Sequence, residues 1–437
     1  MPRILKGEQE TMKSKLILLA VILLLIVTGA FAAVKQDAPD ELRGIWVSRT
    51  DIYKGKAFIS KMFSALAEAN INTVCLPTYY KGVVTYPGSK YLPIDPVLEK
   101  IDPDYLNWMI KEAKKNGLSV EAWPEYGYYA YFTPDLSKET TWGVFLDKYP
   151  ELTAITVDGV PYLSNKFGTY FSLCPSNPKS HELMTDLLTE MVAKYDFDAL
   201  NVDRARYPSD QFCFCDYCKK HFKQETGLTL DKALLSDPGK KKVLIQWRKD
   251  RVTSFMERLR RSVDKTRPGV RITADVWSGV SDSDEKGQDW PTWLDRGYLD
   301  IAVPMMYYNN ITQEMNNAIS KAPSSRYMAA GITVETNKPE TVRQHIQQAR
   351  DVNAAGFVLW YMGTVEDDLP LLKSTVLSKP AKSFYPERRK LVPTVIKGRP
   401  KFLKEPGKGY KSTAKGVKPP LTTIIKSDVD TEAPIKK

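Results

Sequence analysis

Three acidic residues of this sequence stand where short β-branched segments end. Glu125 follows the third such segment, Asp203 lies at the end of the fourth, and Asp275 lies near the end of the fifth. Glycoside hydrolysis uses two carboxyl groups, one that protonates the leaving oxygen and one that acts as nucleophile or base. Asp203, Glu125 and Asp275 are therefore the candidate catalytic residues, and this chemistry requires no cofactor.

The neighbours of these acids suggest different roles. Arg204 and Arg206 should depress the pKa of Asp203, which suits a nucleophile or a stabiliser. Glu125, between a proline and a tyrosine, is the better candidate for the acid, because an apolar environment favours the protonated form. Each residue also has a structural alternative: a salt-bridge network for Asp203, a loop hydrogen bond for Asp275 and a turn for Glu125.

Aromatic residues crowd the same segment ends. Their faces can pack against the apolar faces of sugar rings, so the pattern predicts a polysaccharide substrate. The candidate substrate-binding residues at these ends are Trp123, Tyr126, Arg204, Arg206, Tyr207, Trp277, Tyr307 and Trp360.

A cysteine-rich segment follows Asp203 closely. Its three thiols and one imidazole, at Cys213, Cys215, Cys218 and His221, could hold a structural Zn²⁺. Disulfide pairing after export, with Cys174 available for the odd thiol, is the competing interpretation. Either interpretation gives the segment a structural role, in which it fastens a loop. A metal-dependent hydrolase that uses these ligands is a third hypothesis, and it predicts loss of activity with a chelator.

The elements that must position these residues alternate between strand and helix patterns. Eight short apolar segments lack a polar–apolar alternation, which suits the strands of a parallel sheet covered on both faces. Between them lie longer stretches whose apolar residues recur every three or four positions, as in helices with one buried face. We therefore predict an α/β fold, a (β/α)8 TIM barrel over residues 40–378 with enlarged loops at the end that carries active sites. A doubly wound sheet is the alternative, but no Gly-x-Gly-x-x-Gly follows the first strand. The predicted strands are Leu42–Ser48, Thr73–Tyr79, Ser119–Pro124, Ala199–Arg204, Val270–Trp277, Ile301–Tyr307, Tyr327–Val334 and Phe357–Tyr361.

The N-terminus has the pattern of an export signal. Lysines precede an apolar run from Leu16 to Val27, and small residues at Ala30 and Ala32 form a cleavage site. Residues 1–32 are therefore predicted to be a signal peptide, which makes the protein secreted or associated with the cell envelope. An uncleaved membrane anchor over Leu16–Val34 is the alternative.

The net charge of +11 belongs to the C-terminus. Residues 379–437 hold 16 Lys and Arg against 5 Asp and Glu, whereas residues 33–378 have a net charge of −2. Eight prolines and few apolar residues predict that 379–437 is a Lys/Pro-rich disordered tail. Its charge favours anionic envelope polymers or lipid headgroups as partners. An exported protein rarely meets nucleic acid, so we expect no nucleic-acid partner. The sequence does not indicate the oligomeric state.

Several motifs resemble glycosyl-hydrolase-like family 10. They span about residues 40–365 and read Glu41-Leu-Arg-Gly-Ile-Trp-Val, Trp123-Pro-Glu-Tyr-Gly, Asp198-Ala-Leu-Asn-Val-Asp-Arg-Ala-Arg-Tyr-Pro, Gly287-Gln-Asp-Trp-Pro-Thr-Trp and Asp300-Ile-Ala-Val-Pro-Met-Met-Tyr. The resemblance implies a (β/α)8 barrel that hydrolyses glycan chains, with peptidoglycan glycan strands as the leading substrate.

The same resemblance bears on individual residues. Asp203, Arg204, Arg206, Tyr207, Asp289 and Trp290 fall on recurring positions of the family, which adds Asp289 to the candidate substrate-binding residues. Many members have His-Ala-Trp where this chain has Glu121-Ala-Trp, so no histidine role carries over to that strand. A non-catalytic glycan-binding envelope protein on the same scaffold is the rival to an exported glycoside hydrolase, since a barrel hosts many functions.

Overall fold

The computed structural model describes residues 39–307 and 311–393, and these residues contain a closed barrel of eight parallel strands. Each strand pairs with the next along the chain, and the last pairs with the first. We label them β1 (Leu42–Trp46), β2 (Thr73–Pro77), β3 (Ser119–Trp123), β4 (Ala199–Val202), β5 (Arg271–Trp277), β6 (Ile301–Met306), β7 (Ala329–Thr333) and β8 (Gly356–Trp360). The predicted TIM barrel is confirmed, and each strand lies within two residues of its predicted limits.

A helix follows every strand in the chain and packs against the barrel, because each helix carries one apolar stripe. In Tyr105–Lys115, for example, Leu106, Met109 and Ala113 are buried, and the Asp104 side chain accepts a hydrogen bond from Asn107 N at the start of the helix. The eight helices are α1 (Lys56–Glu68), α2 (Tyr105–Lys115), α3 (Pro178–Lys194), α4 (Pro238–Thr266), α5 (Trp290–Asp295), α6 (Thr312–Ile319), α7 (Pro339–Asp351) and α8 (Leu369–Ser374).

The loops that follow β2, β3 and β4 are enlarged. The β2 loop forms a small hairpin, Tyr79–Tyr80 with Val83–Val84. The β3 loop carries a three-stranded antiparallel sheet of Tyr129–Thr133, Gly168–Ser172 and Leu163–Asn165. Shorter helices are Arg49–Ile52, Pro96–Ile101, Val144–Lys148, Asp216–Thr226, Lys232–Leu235, Val280–Glu285 and Met362–Val365, with 3-10 turns at Leu136–Lys138, Pro150–Leu152 and Ser325–Tyr327.

The chain beyond α8 lies against the lower end of the barrel, where the strands begin. Tyr385 reaches inside and donates a hydrogen bond to the buried Glu121 of β3 at 2.8 Å, and Lys382 O accepts from Glu41 N at 3.0 Å. Residues 379–393 of the predicted tail are therefore folded against the barrel, past the predicted boundary at 378. The aromatic ring of Tyr385 explains this, because it supplies apolar surface that the lysines and prolines around it lack.

Two predictions fall outside the described residues. The predicted signal peptide, residues 1–32, and residues 394–437 of the predicted tail both lie there. Within 39–307 and 311–393, the structure contains no helix with the length and apolar character needed to cross a membrane.

Candidate active site

Asp275 lies inside the barrel near its upper end, where the strands finish. The Asn201 side chain on β4 donates a hydrogen bond to Asp275 Oδ1 at 3.1 Å, and Trp46 Nε1 donates to Asn201 Oδ1 at 3.1 Å. A second Asn201 hydrogen goes to Thr273 Oγ1 at 2.8 Å. This network fixes the asparagine amide so that its NH₂ group faces the carboxyl group.

The environment of Asp275 favours its protonated form. Its side chain is 3% exposed, and burial raises the pKa of Asp275 well above its ordinary value, as does the neighbouring carboxyl group of Asp203. The Asn201 hydrogen bond acts in the opposite direction and is outweighed. Of the two carboxyl groups, Asp275 is therefore the one whose protonated form its surroundings favour more strongly.

Asp203 comes directly after β4 and is 8% exposed. Its Oδ1 accepts a hydrogen bond from the backbone N–H of Arg204 at 2.6 Å. Burial raises the pKa of Asp203, and the charges of Arg204 and Arg206 offset this only in part. The expectation of a depressed pKa at Asp203 was wrong, because the sequence shows the arginines but not the depth at which the carboxyl group is buried.

Glu125 has the opposite surroundings from those predicted. Its carboxylate forms an ion pair with Arg49 Nε at 2.9 Å, and Arg204 Nη1 lies 3.9 Å away. The Arg49 guanidinium also lies over the rings of Tyr80 and Tyr126, at 5.3 and 5.6 Å from their centroids. The predicted apolar environment for Glu125 was therefore wrong, since a charged partner three residues past β1 reaches across the barrel mouth.

The loops after β3 and β4 are pressed together beside these acids. Gly127 has a φ of +46°, and a Cβ atom there would lie 2.2 Å from Asp203 O, so only glycine fits. Arg204, with a φ of +49°, turns its side chain toward the β3 loop and donates to Glu125 O at 2.7 Å. The close approach places Glu125 and Asp203 in the same cluster of charges.

Arg206 is a buried cation with unused donors. Its guanidinium lies over the Trp277 ring at 5.4 Å, while Nε and Nη1 have no hydrogen-bond partner among the residues that the structure describes. Lys286 lies over the same ring at 4.6 Å. The Arg206 charge lowers the pKa of Asp203 and Asp275 against the larger effect of burial. Two cations therefore flank one aromatic surface beside the acid pair.

The predicted aromatic residues divide by exposure. Trp277, Tyr307 and Trp360 are partly exposed at the upper end of the barrel. By contrast, Trp123 is packed between Trp46 and Trp360, with centroid distances of 6.5 and 5.6 Å, and is 1% exposed. The first three can offer a ring to a sugar, whereas Trp123 supports the interior of the mouth.

Two further predicted binding residues have structural contacts. Tyr207 is fully buried, and its hydroxyl lies 2.6 Å from Ser176 Oγ. Tyr126 is 2% exposed beneath the guanidinium of Arg204 at 5.1 Å. Their contacts position the loops, and their rings are covered.

Asp289 is paired with a lysine of a barrel helix. It precedes α5 and forms an ion pair with Lys249 of α4 at 3.3 Å. Its neighbour Trp290 is fully buried and donates a hydrogen bond to Ser283 Oγ at 3.3 Å. The structure therefore gives Asp289 an ion-pair partner on α4.

The cysteine segment forms a cluster that differs from the predicted one in one member. The Sγ atoms of Cys174, Cys213, Cys215 and Cys218 all lie within 4.8 Å of one another. His221 is outside this cluster, and its ring stacks on Tyr217 with a centroid distance of 4.1 Å. The structure therefore groups Cys174, rather than His221, with the three predicted cysteines, because the β3 loop brings Cys174 beside them.

Arg49 and Asn201 are functional candidates that sequence reasoning missed. Asn201 lies two residues before Asp203, so strand alternation places both on the inner face, and this signal could have found it. Arg49 follows β1 and had no comparable signal, since its partner Glu125 lies on another strand.

Comparison with known proteins agrees with the resemblance seen in the sequence. Residues 41–347 match the profile of the family described as Glycosyl hydrolase-like 10. The chain is 24% identical over 320 residues to glycosyl hydrolase DigH of Escherichia coli (strain K12), covering 63% of this chain and 67% of that protein. It is 21% identical over 309 residues to glycosyl hydrolase YngK of Bacillus subtilis (strain 168), covering 62% of this chain and 54% of YngK.

Solved structures share the fold at low identity. The glycoside hydrolase domain of PgaB (BpsB) from Bordetella bronchiseptica aligns with a TM-score of 0.56 and 16% identity, over 77% of this chain and 98% of that domain. A β-galactosidase from Bacillus circulans sp. alkalophilus aligns with a TM-score of 0.54 and 14% identity, over 75% of this chain and 51% of the enzyme. Both likenesses agree with the barrel.

Proposed function

The chain belongs to the glycosyl hydrolase-like 10 family, and from that premise we propose that it is an exported glycoside hydrolase that cleaves cell-envelope glycans, peptidoglycan glycan strands foremost. Membership of the family supports a hydrolase that acts on glycans. The observation that carries the mechanism is the buried acid pair Asp203 and Asp275 at the upper end of the barrel, where barrel enzymes hold their active sites.

The two acids suit the two roles that glycoside hydrolysis needs. Asp275, deeper and with the more strongly raised pKa, donates its proton to the leaving glycosidic oxygen. Asp203, beside Arg204 and Arg206, is the carboxylate that acts as nucleophile or activates water. Glu125 is the ion-pair partner of Arg49, and its backbone oxygen accepts a hydrogen bond from Arg204 that joins the β3 and β4 loops.

The surroundings of the pair suit an acidic sugar. Trp277, Tyr307 and Trp360 offer partly exposed rings for stacking. Arg206 has unused donors over Trp277, with Lys286 nearby. In peptide-free peptidoglycan strands, alternate sugars carry a lactyl carboxylate, which these cations can pair with. This charge match favours such strands over neutral glycans.

The ends of the chain support export and retention at the envelope. Residues 1–32 have the pattern of a signal peptide, and the basic residues of 379–437 can bind anionic envelope polymers or lipid headgroups. The near-neutral barrel is then the catalytic part, and the basic segment keeps it near its substrate.

The test is release of reducing ends from peptide-free glycan strands by the full chain. We expect release by the native protein and none above background by Asp203→Asn, whose side chain has nearly the same shape but cannot act as nucleophile or base. Equal release by both proteins would remove Asp203 from the mechanism.

A second outcome separates the rival function. If the native protein binds the strands but releases no reducing ends from them or from any other polysaccharide, the non-catalytic glycan-binding alternative is supported. If reducing ends are released, the anomeric configuration of the first product assigns the role of Asp203, with retention indicating a nucleophile and inversion a base.

A further inference from the structure

Four cysteines from two loops converge beside the candidate active site. Cys174 follows the β3-loop strand Gly168–Ser172, whereas Cys213, Cys215 and Cys218 follow β4. The Sγ atom of Cys174 lies 3.4 Å from that of Cys218 and 3.7 Å from that of Cys215. A tetrahedral site with Zn–S bonds of about 2.3 Å places its sulfurs roughly 3.8 Å apart. The cluster therefore has nearly the dimensions of a four-thiolate zinc site.

Polar groups around the cluster can donate hydrogen bonds to its sulfur atoms. All four cysteines are buried, and the backbone N–H of Ile155 donates to Cys213 Sγ at 3.4 Å. Ser176 Oγ lies 3.2 Å from Cys218 Sγ and 2.6 Å from the Tyr207 hydroxyl. With Cys218 as a thiolate, Ser176 donates to the sulfur and Tyr207 donates to Ser176. Such donors to the ligand sulfurs are typical of metal sites.

A buried cation lies next to the cluster. Arg248 of α4 is 1% exposed, interacts electrostatically with Cys213 and Cys218, and lies over the Tyr207 ring at 5.3 Å. Its Nε has no hydrogen-bond partner in the described part of the chain. Four thiolates around Zn²⁺ carry a net charge of −2, which Arg248 partly offsets. Two disulfides would be neutral and would leave Asp210 as the acidic group near this buried arginine.

We propose that Cys174, Cys213, Cys215 and Cys218 bind one Zn²⁺ that fastens the β3 loop to the β4 loop. Thiolate softness and tetrahedral geometry select zinc at such a site. Because four protein ligands leave no open position, the ion is structural. The chain of contacts from Cys218 through Ser176 to Tyr207 ends beside Arg206, so the ion also holds the β4 loop that carries Arg206.

The test is metal analysis of the full chain, purified without added metal and dialysed. We expect about one zinc per chain in the native protein and in Cys75→Ser. Cys75 lies in β2, outside the cluster, and is the matched control. Cys218→Ser should retain less than a tenth of that zinc, because loss of one thiolate opens the site. Full zinc content in Cys218→Ser would overturn the proposal.

Two measurements on the native protein keep the test independent of whether the variant folds. Thiol titration in denaturant without reductant should find five free thiols, and cobalt exchanged for zinc should give the intense visible absorption of a tetrahedral thiolate complex. One free thiol with two disulfides, five thiols without metal, or iron in place of zinc would each contradict the proposal. None of these readouts depends on glycoside hydrolysis.

Discussion

Each end of the barrel contains a buried carboxyl group with two arginines nearby, and the pKa values of the two groups are shifted in opposite directions. At the lower end, Glu41 accepts hydrogen bonds from Arg43 Nε at 2.6 Å and from Arg350 Nε at 2.7 Å. Burial alone would raise the pKa of Glu41, but Arg350 and Arg43 reverse this and lower it. At the upper end, burial raises the pKa of Asp203 despite the charges of two arginines.

The difference lies in where the guanidinium groups point. Both lower-end arginines bond the Glu41 carboxylate directly, whereas Arg204 bonds Glu125 O and Arg206 lies over Trp277. Direct charged hydrogen bonds stabilise the anion strongly, while a nearby charge without a bond contributes less. The charge of Glu41 at the lower end is thus paired and contributes to stability. At the upper end, Asp203 and Arg206 are left available to a substrate.

The largest expected effect concerns the proton held at the upper end. Asp275→Asn removes the donor to the leaving oxygen, so we expect kcat on glycan strands to fall about 10³-fold. An aryl glycoside with a strongly acidic leaving group needs no proton, so the variant should lose far less activity on it. Comparable losses on both substrates would show that Asp275 does not act as the acid.

Breaking the lower-end pair should instead reduce stability. Glu41→Gln leaves the buried Arg43 and the partly exposed Arg350 without a full counter-charge, and we expect the free energy of unfolding to fall by about 3 kcal/mol. Asp203→Asn should change the same quantity by less than about 1 kcal/mol, because no side-chain ion pair is lost. Urea denaturation of the two variants measures both values, and a larger loss in Asp203→Asn would reverse the comparison.

Arg206 provides a milder test of unpaired charge. Arg206→Met removes donors that have no partner within the described residues, so stability should be unchanged or higher. KM for glycan strands should rise about 10-fold, the worth of one charged hydrogen bond. An unchanged KM together with lower stability would assign Arg206 a structural role.

The smallest effect is in the pH dependence of stability. With rising pH, the contribution of Asp275 should decrease and that of Glu41 should increase. Asp275 binds its proton more tightly when folded, so its contribution is complete below its ordinary pKa of 3.8 and is lost as pH rises through its raised pKa. Glu41 contributes above its ordinary pKa of 4.5, and that stability is lost as pH falls through its lowered pKa.

Denaturation curves from pH 3 to 8 should therefore separate the variants, by at most about 1.4 kcal/mol per pH unit for each group. The native protein should lose stability as pH rises through the pKa of Asp275, and Asp275→Asn should lack this loss. The native protein should gain stability as pH rises at the acidic end of the range, and Glu41→Gln should lack this gain. Identical pH profiles for both variants would contradict the opposite shifts.

Much of the barrel could be predicted from the sequence. Strands such as Thr73–Pro77 and Gly356–Trp360 are continuous apolar runs because both of their faces are covered, and helices such as Tyr105–Lys115 repeat their apolar residues at helical spacing. The positions of Asp203 and Asp275 at the strand ends followed from the same pattern.

The rest depends on contacts between distant segments. The ion pair of Glu125 with Arg49 joins two strands, and the fourth cysteine, Cys174, comes from a different loop than the other three. The contact of Tyr385 with Glu121 was hidden by the lysines and prolines around Tyr385. Neither local spacing nor composition encodes such pairings, because they arise only when the barrel closes.

The most direct test of the account is the kcat/KM of Asp203→Asn and Glu41→Gln, measured side by side on peptide-free glycan strands at a temperature where both are folded. We predict a loss of about 10³-fold or more for Asp203→Asn and a value within about twofold of the native protein for Glu41→Gln. Equal losses in the two variants, or near-native activity in Asp203→Asn, would contradict a catalytic centre at the upper end of the barrel.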